Sequence, residues 1–187
     1  MIKEIRRQFF HIFAGSIYLA LVYFLQREIY ILLMAGMFCA GILLSLGHKH
    51  IGPIPILEQL LSGVERKEEK EIPAKGALSF MLGIFVTSII FYPFDKIITL
   101  ACLAILTFGD GVSTLAGKLL GKTEVLAHKT LEGSVVGIIV ATIAASYFVP
   151  LHVALPAAIF GMMMEFLPIN DNYTIPIAAG IVVVMLI

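Results

Sequence analysis

Apolar residues gather in seven stretches, at about 9–25, 29–46, 77–94, 97–116, 134–149, 151–167 and 175–187. Helices of about 17–25 apolar residues are long enough to cross a bilayer. The pattern predicts an all-α, polytopic membrane bundle of about seven transmembrane helices, the last stretch being the shortest. A further apolar run at 51–61 is broken by Pro53 and Pro55 and reads as an interfacial or re-entrant piece. Lys3, Arg6 and Arg7 ahead of the first stretch resemble the start of a signal peptide. No small-x-small cleavage pattern follows closely, so an uncleaved first span is expected.

Composition sharpens this picture. Of 187 residues, 59% are hydrophobic and 14% charged, against about 25% charged in soluble domains. The length suits one membrane-embedded domain over 1–187 rather than two. Formal net charge is zero, which gives no reason to expect a nucleic-acid partner. Cys39 and Cys102 both lie in apolar runs and read as small packing residues, not as a disulfide or metal pair.

Charge then sets an orientation. With the N-terminus in the cytosol, the inner segments carry 11 of the 13 Lys and Arg residues, and the outer loops keep only Arg27 and Lys96. That asymmetry predicts an N-in, C-out topology. In this topology helices one, three, five and seven start at the cytosol. Each start carries a polar patch: Arg7 and His11, Lys75-Gly76, His128-Lys129-Thr130, and Asn170-Asp171-Asn172. Helix N-termini expose unpaired N–H groups and partial positive charge, which suit phosphate. Helices two, four and six end there with His48, Asp110 and Glu165. The expected result is one cytosol-facing polar site above an apolar bundle.

The richest segment is 109–134, GDGVSTLAGKLLGKTEVLAHKTLEGS. Charge at membrane depth costs about 2.5–3.5 kcal/mol per residue on insertion scales. Lysines, carboxylates and glycines together are what a phosphate–metal site needs. Blander readings stand beside this one. Asp110 could be a structural carboxylate paired with Lys118 or Lys129. Glu165 could mark a membrane edge, and His11 could be a core histidine bonded to a helix carbonyl. Met162 to Met164 read as packing residues, the run 64–71 as a solvated charged segment, and His152 as incidental. Residues 116–123 fit a permissive P-loop with Ala116 in the first glycine position. A P-loop follows a β-strand and opens a helix, whereas here an apolar helix precedes it, so that reading is rejected.

Taken in order, these motifs resemble the CTP-dependent polyprenol kinase family, which includes dolichol kinase, phytol kinase and CTP-dependent diacylglycerol kinase. The resemblance rests on Arg-Arg-x-x-x-His-x-x-x-Gly from Arg6 to Gly15, Lys75-Gly76 and Gly109-Asp110 with Gly117 and Gly121. It continues through Lys129-Thr130-x-Glu132-Gly133-Ser134 and Glu165 followed by Asp171-Asn172-x-x-Ile175-Pro176. It covers nearly the whole chain, and the central block is its specific part. CDP-diacylglycerol synthases share similar Gly-Asp and Lys-x-x-Glu-Gly blocks but would carry an Asp-Arg-x-x-Asp signature near the end. This chain has Asn-Asp-Asn-Tyr-Thr-Ile-Pro there, which favours the kinase.

The resemblance implies transfer of the γ-phosphate of CTP to a polyprenol or related isoprenoid alcohol. The rival readings are a CDP-lipid synthase and, at greater distance, a small transporter. Asp110, Glu132 and Lys129 are the expected catalytic residues. Asp110 and Glu132, then Glu165 and Asp171, are the expected Mg²⁺ ligands. Lys118, Gly121, Lys122, Lys129, Thr130, Gly133, Ser134 and Arg7 are expected to hold the nucleotide phosphates, and His11, Lys75 and Asn172 the substrate.

Overall fold

In the computed structural model, residues 2–50, 52, 73–126 and 129–187 are described. The expected 51–61 piece, the 64–71 charge run and His128 therefore lie largely or wholly outside the described residues. Among those described, the chain forms seven helices and only one isolated β-bridge, between Glu124 and Thr130. The helices are α1 (Ile2–Phe24), α2 (Arg27–His50), α3 (Lys75–Phe91), α4 (Lys96–Leu120), α5 (Leu131–Ala145), α6 (Leu151–Met163) and α7 (Asp171–Leu186).

Local chemistry sets several boundaries. Pro93 and Pro150 stand in the turns before α4 and α6, where a missing N–H breaks the helical ladder. Asp95 caps α4 by accepting from the Ile97 amide at 2.8 Å. Thr130 caps α5 by accepting from the Gly133 amide at 3.3 Å, and Asn170 caps α7 by accepting from Asn172 N at 3.0 Å. These are the residue types that satisfy orphan donors at helix starts.

Two helices, α2 and α4, are long and apolar enough to cross a membrane. The apolar helices α3, α5, α6 and α7 are shorter, at 10–17 residues each when α6 is taken with the 3₁₀ turn Met164–Phe166 that extends it. At 1.5 Å per residue, a 15-residue helix reaches about 22 Å, short of a hydrocarbon core about 30 Å thick. The seven expected apolar stretches therefore appear as seven helices among the described residues, two of which are both long and apolar enough to span.

Helix α4 is the axis of the bundle. Leu100, Leu103, Ile105 and Leu106 are among its fully buried side chains. Midway it opens into a π-helical turn, Ile105–Asp110. Such turns widen the ladder by one residue and shift the register of side chains beyond them; here the turn ends on Asp110. From its end onward, Gly109 inside the turn and Ser113 and Gly117 past it recur every four residues and face Gly133, Gly137 and Ala141 of α5. A Cβ on Gly137 would lie 2.6 Å from the Ser113 side chain, and one on Gly133 would lie 2.8 Å from Gly117 Cα. Small residues at this spacing let two helix backbones approach closely. The contact brings the end of α4 and the start of α5 together.

Candidate functional site

The loop between α4 and α5 is a tight return. Val125 N donates to Lys129 O, Lys129 N to Leu126 O, and Leu131 N to Thr123 O, all at 2.9 Å. Glu132 ties this loop to the helix start. Its Oε2 accepts from the amides of Lys122 (3.1 Å) and Thr123 (3.2 Å), and its Oε1 from the Thr123 hydroxyl (3.0 Å). With its own amide and those of Lys122 and Thr123 donating to it, the Glu132 carboxyl is held down to about 2. The loop in turn delivers Lys129 into the bundle.

The Lys129 ammonium stands among three carboxylates from three elements: Asp110 Oδ1 of α4 at 3.3 Å, Asp171 Oδ2 of α7 at 3.5 Å, and Glu165 Oε2 beyond α6 at 3.7 Å. Burial opposes charge on Lys129, but Asp110, Glu165 and Asp171 outweigh it and hold the ammonium well above its ordinary range. Burial, reinforced by the charge of Asp110, raises the Asp171 carboxyl against the pull of Lys129. Ser113 donates to Glu165 Oε1 at 2.6 Å, while Glu165 Oε2 is buried without a hydrogen-bond donor among the described residues. His11 of α1 closes the group, with Nε2 3.8 Å from Asp110 Oδ2 and 3.4 Å from the Leu106 carbonyl oxygen.

These groups line one cavity of about 1430 Å³. Its polar end is built by the starts of α1, α3, α5 and α7 and by the ends of α4 and α6. Its other end runs along α1 past Phe10, Phe13, Ala14 and Ile17. Arg7, paired with Glu4 at 2.6 Å, lines the mouth. Asn172 donates to the Ser79 hydroxyl at 2.9 Å, tying α7 to α3 inside the same cavity. Lys118 and Thr130 also line it, and so does Ser134, whose buried hydroxyl has no hydrogen-bond partner among the described residues.

Several expected site residues stand elsewhere. Glu132 belongs to the loop and does not join the three carboxylates, because its oxygens are taken by the Lys122 and Thr123 donors. Lys122 meets that carboxylate through its backbone and is exposed. The amides of Gly121 and Gly133 are also spent: Gly121 donates to Gly117 O, and Gly133 to Thr130 Oγ1. Both glycines stand where a Cβ would crowd the neighbouring backbone, Gly121 against Gly117 O and Gly133 against Ser113 O and Gly117. Lys75 is exposed, and its neighbours Ala74 and Gly76, not Lys75 itself, line the cavity.

Ser113 was not singled out by sequence, although its place four residues after Gly109 and four before Gly117 puts it on the packed face. Gln8, buried at the cavity mouth with Oε1 unpartnered, was hidden inside the Arg-Arg-x-x-x-His motif.

Among the described residues, no three carboxylate, imidazole or thiol groups stand in metal-ligating geometry. Asp110, Glu165 and Asp171 converge on an ammonium instead. In kind they fit a hard divalent cation, since all three offer carboxylate oxygens and Glu165 keeps one buried oxygen without a donor. No family model, curated protein or solved structure matches the chain. The site's chemistry is therefore argued from its own residues.

Proposed function

We propose that this chain is an integral membrane lipid-alcohol kinase of seven spans, N-in and C-out, with its site at the cytosolic face. It would transfer the γ-phosphate of CTP to a polyprenol or similar isoprenoid alcohol. One observation carries this reading: a single cavity joins a buried lysine–carboxylate cluster to an apolar wall on α1. A charged reacting group and a hydrocarbon chain can share it. Phosphoryl transfer asks a protein mainly for positioning and charge stabilisation, which is what such a cluster offers.

In the reaction the alcohol oxygen bonds to the γ-phosphorus as the bond to the β–γ bridging oxygen breaks. CDP leaves, and the hydroxyl proton passes to the carboxylate cluster. Lys129 would stabilise charge on the transferred phosphoryl group, with Arg7 and Lys118 at the mouth drawing in the nucleotide. Ser134 offers a buried hydroxyl with no other partner among the described residues. Asp110, Glu165 and Asp171 would hold Mg²⁺, which supplies charge neutralisation on the phosphates when bound. Glu132 positions Lys129 through the loop.

The test uses purified protein, γ-labelled CTP or ATP, and a panel of lipid alcohols. Label on the lipid supports the kinase. Label released as pyrophosphate would show the cytidylyl transfer of a CDP-lipid synthase and overturn it.

A further inference from the structure

The Lys129 ammonium and a divalent cation compete for one place. Lys129 Nζ lies 3.3 Å from Asp110 Oδ1, 3.5 Å from Asp171 Oδ2 and 3.7 Å from Glu165 Oε2. Magnesium holds its oxygen ligands at about 2.0–2.1 Å. The three oxygens are thus spaced for an ammonium, and that ammonium fills the point on which they converge. A metal drawn to the same oxygens meets a positive charge already seated there. Two cations so close, partly shielded from water, repel each other.

Glu165 gives an independent sign that the ammonium does not complete the site. Its side chain is fully buried, and Ser113 satisfies Oε1 at 2.6 Å. Oε2, the oxygen nearest the ammonium, accepts no hydrogen bond among the described residues. A buried carboxylate oxygen without a donor is costly, and a bond to a metal would satisfy it.

The lysine can move aside without disturbing the fold. Its backbone is pinned: Lys129 N donates to Leu126 O and Lys129 O accepts from Val125 N, both at 2.9 Å. Glu132 latches the same loop through Lys122 and Thr123. The four-carbon stem of a lysine turns about single bonds, and Lys129 lines a cavity of about 1430 Å³ that Arg7 and Lys118 also line. Leaving the carboxylates takes side-chain rotation only, into the space where donor phosphates would lie.

We infer that Lys129 is the resident counter-cation of a divalent-cation site: it neutralises Asp110, Glu165 and Asp171 while the metal is away, and the metal displaces its ammonium into the cavity. The inference rests on the kinase reading only for what the freed ammonium then meets, the donor phosphates. Displacement itself needs neither nucleotide nor lipid. Lys129 becomes available to a phosphoryl group once the cation has arrived. Buried carboxylates left without a partner are strongly destabilising, so the lysine also lets the fold persist unloaded.

The first test uses the wild-type chain in detergent with Mg²⁺ alone. Its lysines are acetylated with a limiting reagent, with and without Mg²⁺, and the labelled positions are read by mass spectrometry. An ammonium held by carboxylates gives up its proton reluctantly and reacts slowly. Mg²⁺ should raise labelling at Lys129 several-fold and leave it unchanged at Lys75, which is exposed and outside the cavity lining. Labelling at Lys129 that stays level or falls as Mg²⁺ is added would overturn the inference.

The second test measures Mn²⁺ affinity from the loss of the free ion's paramagnetic resonance signal. Lys129→Met, similar in length and uncharged, should tighten Mn²⁺ binding by about tenfold or more. Lys118→Met removes a like charge from an exposed position on the same cavity and should shift the affinity much less. Equal tightening in the two variants would mean that Lys129 acts only through the general field and is not displaced. Should Lys129→Met fail to fold, the wild-type labelling still decides. Release of Lys129 by Mg²⁺ in a protein that transfers no phosphate would sink the kinase and keep the inference. Phosphate transfer with Lys129 still protected in Mg²⁺ would do the reverse.

Discussion

Among the described residues, helices α2 and α4 are the two stretches long and apolar enough to cross a membrane, at 24 and 25 residues, yet they do opposite things. The more apolar α2 is 17% buried along its most apolar window; α4 is 78% buried. The difference lies in where their small residues meet partners. Among the described residues, a Cβ on Gly36 or Gly47 of α2 would meet nothing within 4 Å, and one on Gly41 would meet only side-chain ends, Leu78 Cδ2 at 3.0 Å and Met81 Sδ at 4.0 Å. On α4, a Cβ at Gly109 would lie 2.9 Å from Ala141, and one at Gly117 would lie 2.9 Å from Thr130 Oγ1. Apolarity says that a helix avoids water. Close approach, which small residues permit, says that it packs on protein. Only α4 can then carry a carboxylate safely, because its neighbours bring Lys129 and His11 to Asp110.

The sharpest way to break this comparison is at Asp110. Asp110→Asn keeps the size and removes the charge that Lys129 and a cation would meet. Turnover should fall by about 10² or more, since loss of one electrostatic contact to the transition state costs roughly 3 kcal/mol. Thermal unfolding in detergent shows whether the fold survives. Near-normal turnover would reduce Asp110 to a structural ion-pair partner.

Next comes a lysine at the end of each region. Lys129→Ala should strongly weaken kcat/KM for the nucleotide at fixed lipid. Lys49→Ala, at the exposed end of α2, should do little, because exposed charges of that kind contribute at most about 1 kcal/mol. Equal losses would remove any special role from Lys129. The packing contrast follows: Gly137→Leu, set against Ser113 and Met162, should destabilise by about 1–3 kcal/mol or more through overpacking. Gly36→Leu should stay within about 0.5 kcal/mol. Equal shifts in unfolding temperature would mean that α4 and α5 do not meet through their small residues.

The smallest effect belongs to Glu132. Glu132→Gln leaves the carboxylate cluster intact and weakens only the loop latch, so turnover should drop a few fold, well short of Asp110→Asn. The latch also has a pH signature. A carboxyl held down to about 2 stabilises the folded loop fully above its ordinary value, and that contribution is lost as pH falls through about 2. Hydrogen exchange at the Lys122 and Thr123 amides should therefore stay slow at pH 4 in the wild type and speed up in Glu132→Gln. Unchanged exchange would show that the carboxylate does not hold the loop.

Periodicity announced the helices, because long apolar runs bounded by Pro93, Pro150 and the polar caps have few other ways to fold. The charged residues near their ends were equally plain: Asp110, Lys129, Glu165 and Asp171 stand out in apolar sequence and do meet in space. Glu132 was expected among the metal ligands, yet its oxygens accept from Lys122 and Thr123, because one letter does not tell which donors a carboxylate will find. A helix N-terminus beside a tight loop offers several amides at once, and those amides captured it. Gly121 and Gly133, expected at the phosphates, stand in close backbone contacts for a similar reason. A glycine that lets a phosphate approach and one that lets a helix approach look alike until the neighbour is known.

What the sequence by itself determined is the class of the molecule: all-helical, strongly apolar, with its ionisable residues concentrated at one set of helix ends. The cost of burying charge makes that pattern hard to produce by accident. What the tertiary structure alone decided is which of those groups meet. The π-helical turn before Gly111 sets where Asp110 points, the small-residue contact of α4 with α5 sets how near Lys129 comes, and Phe80 of α3 packs against His11 and Tyr18 of α1. Each depends on distances between segments far apart in the chain, and those distances follow from packing rather than from composition or period.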